Sequence, residues 1–291
     1  MDAELRPRER TIETNGVRLH VVEAGLEGGP LLILLHGFPE FWYGWRNQIE
    51  PLAAAGFHVL VPDQRGYNTS DKPRRIPDYD LDVLARDILG LIDQTGGGKA
   101  FVAGHDWGGA VAWWLGCNHP ERLERLAILN CPHPVVMRDT LLKSSRQRKK
   151  SFYMFLFQVP WFPERTFSKD NFAAGVKALQ RTSRPGTFTE ADFERYREAW
   201  SQPGEVRSMI HWYRAAVRSQ RKWPREPRVR GVPTMLIWGA RDRNLLREMA
   251  QPSIDLCDDG RLEFIEEASH WVQHEEPERV NRLLLEHFAG S

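Results

Sequence analysis

A carboxylate lies between glycines at residues 104–109, which read Gly-His-Asp-Trp-Gly-Gly directly after a short apolar run. The Gly-x-Asp-x-Gly spacing predicts a tight strand-to-helix turn, because glycines let the two backbones approach while the central side chain projects outwards. A carboxylate is ionised at neutral pH, so it can attack an electrophilic carbon without first losing a proton. Glycine-rich turns are common, and the interpretation of Asp106 as a nucleophile therefore depends on its partners.

Two later residues have the types and positions that such partners need. Asp242 follows the apolar run 235–238, and His270 follows the run 262–265. Nucleophile, acid and base thus come in an order that is known for triads built at the ends of parallel strands. We expect His270 to act as a general base on water and Asp242 to orient its ring. The alternative for Asp242 is an ordinary loop carboxylate.

A further loop can supply main-chain donors to the same place. Residues 36–39, His-Gly-Phe-Pro, end the continuous apolar run 31–35. The N–H groups of Phe38 and Trp107 are predicted to form an oxyanion hole beside Asp106. We interpret His36 itself as a buried structural histidine.

The same segments predict the lining of a substrate pocket, to which we assign Pro39, Trp107, His133 and Trp271. His133 has a second interpretation, in which it only braces the turn before Pro134. His105 is expected to point away from the pocket. Packing or solvent accounts for His20, His58, His119 and His287, and a helix surface or the pocket rim for His211 and His274. No set of histidines and carboxylates has zinc-like spacing, so we expect neither a metal nor a cofactor.

The elements that would position these residues alternate in the first part of the chain. Buried strands are predicted at residues 31–35, 59–61, 101–103 and 126–129, and helices at 81–92 and 108–117. This alternation predicts an α/β fold, a parallel sheet with helices on both faces. The pattern then becomes helical and aromatic, and strands resume at residue 235. We expect residues 1–134 and 229–291 to form the core and residues 135–228 to form a helical cap over the strands' carboxyl ends.

The composition limits the class of protein. The 291 residues are 41% hydrophobic, and 40 Lys and Arg stand against 39 Asp and Glu, a balance that favours no nucleic-acid partner. The basic run at residues 146–150 is interpreted as a solvated helix face or loop, with a membrane-surface or anionic-substrate role as the alternative. Three widely spaced cysteines indicate reduced thiols, and neither a signal peptide nor a span of about 18 apolar residues is evident. We expect a cytoplasmic protein without stable membrane insertion.

The motifs resemble those of the epoxide hydrolases of the α/β-hydrolase superfamily over nearly the whole chain. The matching segments are residues 36–39, 63–67, 104–109, 130–134, 238–242 and 268–271. The resemblance implies the α/β-hydrolase fold, with a mostly parallel sheet and a helical cap inserted between strands. In that family two cap tyrosines bind the epoxide oxygen, and the segments 152–160 and 211–214 point to Tyr153 and Tyr213.

The resemblance also implies a reaction in two steps. Asp106 opens an epoxide to form a covalent ester while the tyrosines act as acid, and water activated by His270 then releases a vicinal diol. The implied substrates are small lipophilic or aryl epoxides, a role in detoxification is consistent with them, and the protein is expected to be a monomer or a homodimer.

Three other functions fit parts of the same pattern. A haloalkane dehalogenase uses the same Asp, His and acid, and also has Trp after the nucleophile, as at Trp107; the tyrosine pair favours epoxides. An esterase or carbon–carbon hydrolase would have Ser in place of Asp106. A non-catalytic relative would generally have lost members of the triad, and all of them are present here.

Overall fold

A mostly parallel sheet of eight strands forms the centre of the computed structural model, which describes residues 6–218 and 227–290. The strands are β1 (Arg8–Thr14), β2 (Val17–Ala24), β3 (Leu31–Leu35), β4 (His58–Pro62), β5 (Ala100–His105), β6 (Leu123–Leu129), β7 (Thr234–Gly239) and β8 (Gly260–Ile265). Their order is β1-β2-β4-β3-β5-β6-β7-β8; β1 with β2 and β2 with β4 pair antiparallel, and the remaining neighbours pair parallel. The predicted α/β class, a mostly parallel sheet with helices on both faces, is confirmed.

The helices of the described ranges lie on both faces of this sheet or in an insertion. They are α1 (Arg46–Ala54), α2 (Leu81–Gln94), α3 (Trp107–Asn118), α4 (Pro134–Lys143), α5 (Ser145–Lys150), α6 (Phe152–Leu156), α7 (Phe162–Ser168), α8 (Ala173–Thr182), α9 (Glu190–Trp200), α10 (Glu205–Arg218), α11 (Ala250–Ile254), α12 (Val272–Glu275) and α13 (Pro277–Ala289). None of the helices in these ranges is long and apolar enough to cross a membrane.

The central strands are buried on both faces, which explains their continuous apolar sequences. In β3, Leu31, Ile33 and Leu35 pack into the core that α2 and α3 cover. The alternate residues Leu32 and Leu34 pack into a second core with residues of α1 and α13. Every residue of β3 is buried, and the strand leads directly into the loop that begins at His36.

The helical insertion lies between β6 and β7 and contains α4 to α10 within the described residues. The division into 1–134, 135–228 and 229–291 stays a prediction. Residues 219–226, the last part of the predicted cap, and residues 1–5, in which no signal peptide was recognised, lie outside the described residues.

Two tryptophans of the insertion fix it to loops of the core. The indole N–H of Trp200, at the end of α9, donates to the carbonyl of Pro39 at 2.7 Å. The indole N–H of Trp212, in α10, donates to the carbonyl of Arg65 at 3.1 Å. Both acceptors lie in loops that follow parallel strands, β3 and β4. The insertion is therefore held over the edge of the sheet where the predicted triad lies.

Candidate active site

Asp106 occupies a strained backbone conformation between β5 and α3. Its φ and ψ angles are 49° and −117°, a region that a non-glycine residue rarely adopts. The neighbouring glycines make this turn possible: a Cβ on Gly104 would lie 2.3 Å from the carbonyl oxygen of Gly108. A Cβ on Gly37 would lie 2.4 Å from the Cβ of Asp106. The glycines predicted from the sequence thus bring the β3 loop against the carboxylate.

The Asp106 carboxylate is held by one main-chain donor. The N–H of Phe38 donates to Oδ1 of Asp106 at 2.9 Å, and the side chain of Asp106 is 19% exposed. Trp107 is the first residue of α3, so its N–H has no acceptor within the helix. The N-terminus of α3 adds a favourable field for an anion at this carboxylate, and the oxyanion hole of Phe38 and Trp107 stays a prediction.

His270 lies between the carboxylates of Asp106 and Asp242. Its Nε2 atom is 3.6 Å from Oδ2 of Asp106, and its Nδ1 atom is 2.7 Å from Oδ2 of Asp242. The structure therefore brings together the three residues that the sequence placed after β5, β7 and β8. With Nδ1 bound to Asp242, Nε2 is the ring atom that faces Asp106.

Asp242 is buried and fully engaged. Its Oδ1 atom accepts hydrogen bonds from the N–H groups of Asn244 and Leu245 at 2.7 and 2.9 Å. Burial raises the pKa of the Asp242 carboxyl, but the charge of His270 and the hydrogen bonds to the carboxylate hold it below its ordinary value. Asp242 is therefore ionised beside Nδ1 of His270.

Asn130 is a residue of this site that the sequence analysis matched to a motif without giving it a role. Its Nδ2 group donates to Oδ2 of Asp242 at 2.8 Å, and its Oδ1 accepts from the N–H of Gly239 at 2.8 Å. It follows β6 directly, with a φ of 42°. Its position one residue beyond a buried strand end is the signal that could have suggested a function.

Tyr153 and Tyr213 come from two separate helices, α6 and α10, and meet above the turn between β5 and α3 that carries Asp106. Their ring centroids are 5.8 Å apart, and the Tyr213 ring is 5.2 Å from Phe38 and 5.0 Å from Trp107. Burial raises the pKa of each phenol well above its ordinary value, and the charge of Asp106 adds to the effect. Both phenols therefore carry their protons and are hydrogen-bond donors beside the carboxylate.

Comparison with known proteins finds relatives along nearly the whole chain. Residues 30–277 match the family described as alpha/beta hydrolase fold. The AB hydrolase superfamily protein YfhM of Bacillus subtilis (strain 168) is 49% identical over 276 residues, 95% of this chain and 96% of that protein. Epoxide hydrolase 4 of Homo sapiens is 38% identical over 280 residues, 94% of this chain and 76% of that protein.

A solved structure has a similar fold over nearly the whole chain. The crystal structure of Bacillus megaterium epoxide hydrolase in complex with an inhibitor has a TM-score of 0.87 at 31% identity, and the match covers 96% of this chain and 100% of that chain. This chain belongs to the epoxide hydrolases of the α/β-hydrolase fold superfamily. It is an enzyme, a hydrolase of the class that acts on ether bonds.

His270 of this epoxide hydrolase has a strongly shifted pKa. Burial lowers the pKa of His270, but the negative charges of Asp242 and Asp106 raise it by more, to about 10. The ring is therefore an imidazolium while Asp106 is ionised. An event that neutralised Asp106 would remove one of the two charges and lower the pKa of His270.

The residues assigned to the pocket occupy different places in the enzyme. Pro39 is buried beneath Trp200, to which its carbonyl is bonded, and Trp107 lies against Tyr213. Trp271 packs against the ring of His270, with a centroid distance of 5.0 Å, and its indole N–H donates to Thr182 at 2.9 Å. Trp271 thus packs on one side of the His270 ring.

His133 packs against α3. Its ring packs on Trp113 at 5.1 Å, and its Nδ1 atom accepts from the N–H of Val135 at 3.2 Å. Burial lowers the pKa of His133 to about 4, so the ring is neutral and can accept this bond. These contacts match the interpretation in which His133 braces the turn.

The expectation that His211 and His274 lie on a helix surface or a rim is wrong, since they are only 5% and 8% exposed. His274 is drawn inwards because its Nε2 atom lies 2.7 Å from Oε1 of Glu40. His211 packs on Tyr79, with a centroid distance of 5.5 Å. Both helices are covered by neighbouring elements that helical periodicity alone does not reveal.

Glu40 is a buried carboxylate that the sequence analysis missed. Besides His274, its Oε1 atom accepts from the phenol of Tyr196 at 2.6 Å, and its Oε2 atom accepts from Gln273 at 3.1 Å. Burial raises the pKa of Glu40, but the facing histidines hold it well below its ordinary value, so it remains charged. An acidic residue directly after His-Gly-Phe-Pro was the available signal.

This network reaches the loop of His270 through His105, which is buried. Nδ1 of His105 is 3.4 Å from Oε2 of Glu40, and Nε2 of His105 is 2.9 Å from the carbonyl oxygen of His270. The loop that carries the base is therefore supported from below. Within the described ranges, no group of three or more His, Cys, Asp or Glu side chains is arranged to hold a metal ion.

Proposed function

We propose that this enzyme hydrolyses epoxides to vicinal diols through a covalent ester on Asp106. The observation that carries the proposal is that the two oxygens of this carboxylate have different neighbours. Oδ1 accepts the N–H of Phe38, and Oδ2 lies 3.6 Å from Nε2 of His270. The N–H of Phe38 lies at the oxygen on which negative charge develops when the carboxyl carbon of an Asp106 ester is attacked. The donor is explained if the carboxyl carbon itself becomes a reaction centre.

The first step joins the enzyme to the substrate. Oδ2 of Asp106 attacks an epoxide carbon from behind, the carbon–oxygen bond of the ring breaks, and its electron pair goes to the epoxide oxygen. Tyr153 and Tyr213 hydrogen-bond that oxygen, and one phenol donates its proton to it. The product is an ester of Asp106 with one arm of a diol, next to a tyrosinate.

Formation of the ester prepares His270 for the second step. The ester carries no charge, so the pKa of His270 falls from about 10 towards its ordinary value. The proton that His270 then releases restores the phenol that gave its proton to the epoxide oxygen. His270 is thus protonated while the Asp106 carboxylate is free to attack the epoxide. It becomes neutral, and able to take a proton from water, only once the ester has formed.

The second step releases the product. Neutral His270, oriented by Asp242, takes a proton from water as the water oxygen attacks the carboxyl carbon of Asp106. Oδ1 carries the negative charge of the tetrahedral intermediate and lies on the N–H of Phe38, beside the N-terminus of α3. Collapse breaks the ester bond, and the diol leaves with a proton from His270. The carboxyl group left on Asp106 then gives its proton to His270, which restores the starting carboxylate and imidazolium.

The walls of the site favour small lipophilic or aryl substrates. Phe157 packs on Tyr213 at 4.9 Å and on Phe38 at 5.6 Å, so aromatic rings surround the two phenols. Apolar rings leave few polar groups besides the phenols to orient a substrate, so the epoxide oxygen becomes its main polar anchor.

The experiment measures two products side by side. Purified enzyme is given styrene oxide, with diol formation as the readout, and a bromoalkane, with halide release as the readout. We expect diol from the epoxide and no halide above the level of an Asp106→Asn control. Halide release without diol would make the enzyme a dehalogenase and overturn the proposal.

A further inference from the structure

Gln147 is buried in the middle of a helix whose other residues are mostly basic and exposed. In α5, Arg146, Arg148 and Lys149 are exposed, as predicted for the basic run, whereas Gln147 is 0% exposed. A buried amide is stable only where protein hydrogen bonds replace those to water. The partners of Gln147 therefore indicate why a glutamine occupies this position.

On the core side, Gln147 pairs with the loop that carries Asp242. Its Nε2 group donates to the carbonyl of Asn244 at 2.9 Å, and its Oε1 atom accepts from the N–H of Leu246 at 3.0 Å. The amide thus binds main-chain groups two residues apart, as a neighbouring strand would. Asn244 also donates its N–H to Oδ1 of Asp242, so the loop is held on both sides.

On the cap side, Gln147 is bonded to the residue that leads into α6. Its Nε2 group donates to Oγ of Ser151 at 2.9 Å, and the N–H of Ser151 donates to the carbonyl of Gln147 at 2.8 Å. Ser151 is buried, and Tyr153 follows two residues later. One side chain therefore connects the loop of the triad acid to the helix of an acid tyrosine.

A second contact from the same helix confirms that α5 docks on this loop. The ammonium group of Lys150 lies 3.4 Å from the carbonyl oxygen of Asp242 and 2.5 Å from that of Arg243. The cap and the acid loop are thus joined along one turn of α5, with Gln147 at its buried centre.

We propose that Gln147 is a positioning residue that sets Tyr153 and Asp242 from one docking point between cap and core. The inference rests on the proposed function, in which Tyr153 serves ester formation and Asp242 serves ester hydrolysis. Loss of Gln147 therefore slows two chemically different steps together. Tyr153→Phe slows mainly the first step, and Asp242→Asn slows mainly the second.

The test measures both rate constants in single turnovers of the full-length enzyme with styrene oxide, using rapid quench and mass spectrometry of the ester. Gln147→Met removes both main-chain pairings at similar volume, and we expect each rate constant to fall about tenfold or more. Lys149→Ala, an exposed change on the same helix, is the matched control and should leave both unchanged. The total amount of ester formed gives the number of folded active sites, so each rate constant is expressed per active site.

A second variant keeps the test valid if Gln147→Met folds poorly. Ser151→Ala removes only the cap-side hydroxyl, and we expect a smaller fall, about threefold, shared by both steps. Rate constants per site within twofold of the unsubstituted enzyme in either variant, even with a lowered melting temperature, would overturn the inference. Absence of any ester in the unsubstituted enzyme would instead overturn the proposed function.

Discussion

Nε2 of His270 lies 3.6 Å from Oδ2 of Asp106, whereas the other carboxylate oxygen, Oδ1, accepts the N–H of Phe38. The two oxygens of one carboxylate thus have different neighbours and, in our account, different fates. Oδ2 becomes the ester oxygen, and Oδ1 becomes the oxyanion during hydrolysis. The base takes a proton from water, and the water oxygen attacks a carboxyl carbon that ester formation has made electrophilic.

Replacement of the base should separate the two steps. In His270→Gln the nucleophile and the tyrosines are retained, so the ester forms, but its hydrolysis slows by about 10²–10⁴-fold because no side chain takes the proton from water. Mass spectrometry of the peptide that contains Asp106 should show an increase equal to the mass of the epoxide. The double variant His270→Gln with Asp106→Asn is the control without a nucleophile; an unmodified peptide in His270→Gln alone would contradict the scheme.

The tyrosines should affect only the first step. Tyr153→Phe and Tyr213→Phe each remove one donor to the leaving oxygen, and the double variant should form ester about 10²–10⁴-fold more slowly. The rate of ester hydrolysis, followed from preformed ester, should change little. Tyr43→Phe, whose hydroxyl bonds to Asp192 instead, is the control. If the double variant formed the ester at the rate of the unsubstituted enzyme, a group other than these two tyrosines would have to protonate the epoxide oxygen.

The pKa of His270 should depend on the charge of Asp106. Asp106→Asn imitates the uncharged ester, so one of the two charges that raise the pKa to about 10 is lost and the pKa should fall. Asn also tolerates the positive φ of this position. NMR titration of the imidazole nitrogens measures the change directly. An equal pKa in both proteins would remove the proposed link between ester formation and activation of the base.

Glu40 should contribute stability that depends on pH. Its pKa in the folded protein is held well below the ordinary value of 4.5, so its stabilising effect is complete above that value and is lost as the pH falls through the folded pKa. Chemical unfolding should therefore show the largest deficit for Glu40→Gln near neutral pH and a smaller one below about pH 4. A deficit that stays constant down to acid pH would mean that the charge of Glu40 is not what stabilises the fold.

The sequence predicted those parts of the site that depend on local backbone geometry. Gly104 and Gly108 are required where β5 meets α3, and Asp242 and His270 follow strand ends that share one edge of the sheet. The strands and their order along the chain follow from apolar runs in the same way. These features are visible because each depends on residues that are close in sequence.

The supporting contacts could not be predicted, because they join residues far apart in the chain. Glu40 meets His274 across 234 positions, and Gln147 meets Leu246 across 99. Helical periodicity reports one face of a helix and cannot show that another element covers the opposite face, which is why His274 was misplaced. The roles of Tyr153 and Tyr213 came from resemblance, since nothing in their spacing distinguishes them from packing residues.

The central claim is that water attacks the carboxyl carbon of Asp106 and never the epoxide itself. A single turnover in water enriched in ¹⁸O, with enzyme in excess over styrene oxide, tests it most directly. We predict that the first turnover places ¹⁸O in the carboxyl group of Asp106 and leaves the diol unlabelled. A labelled diol with an unlabelled Asp106 would show direct attack by water and contradict the covalent mechanism.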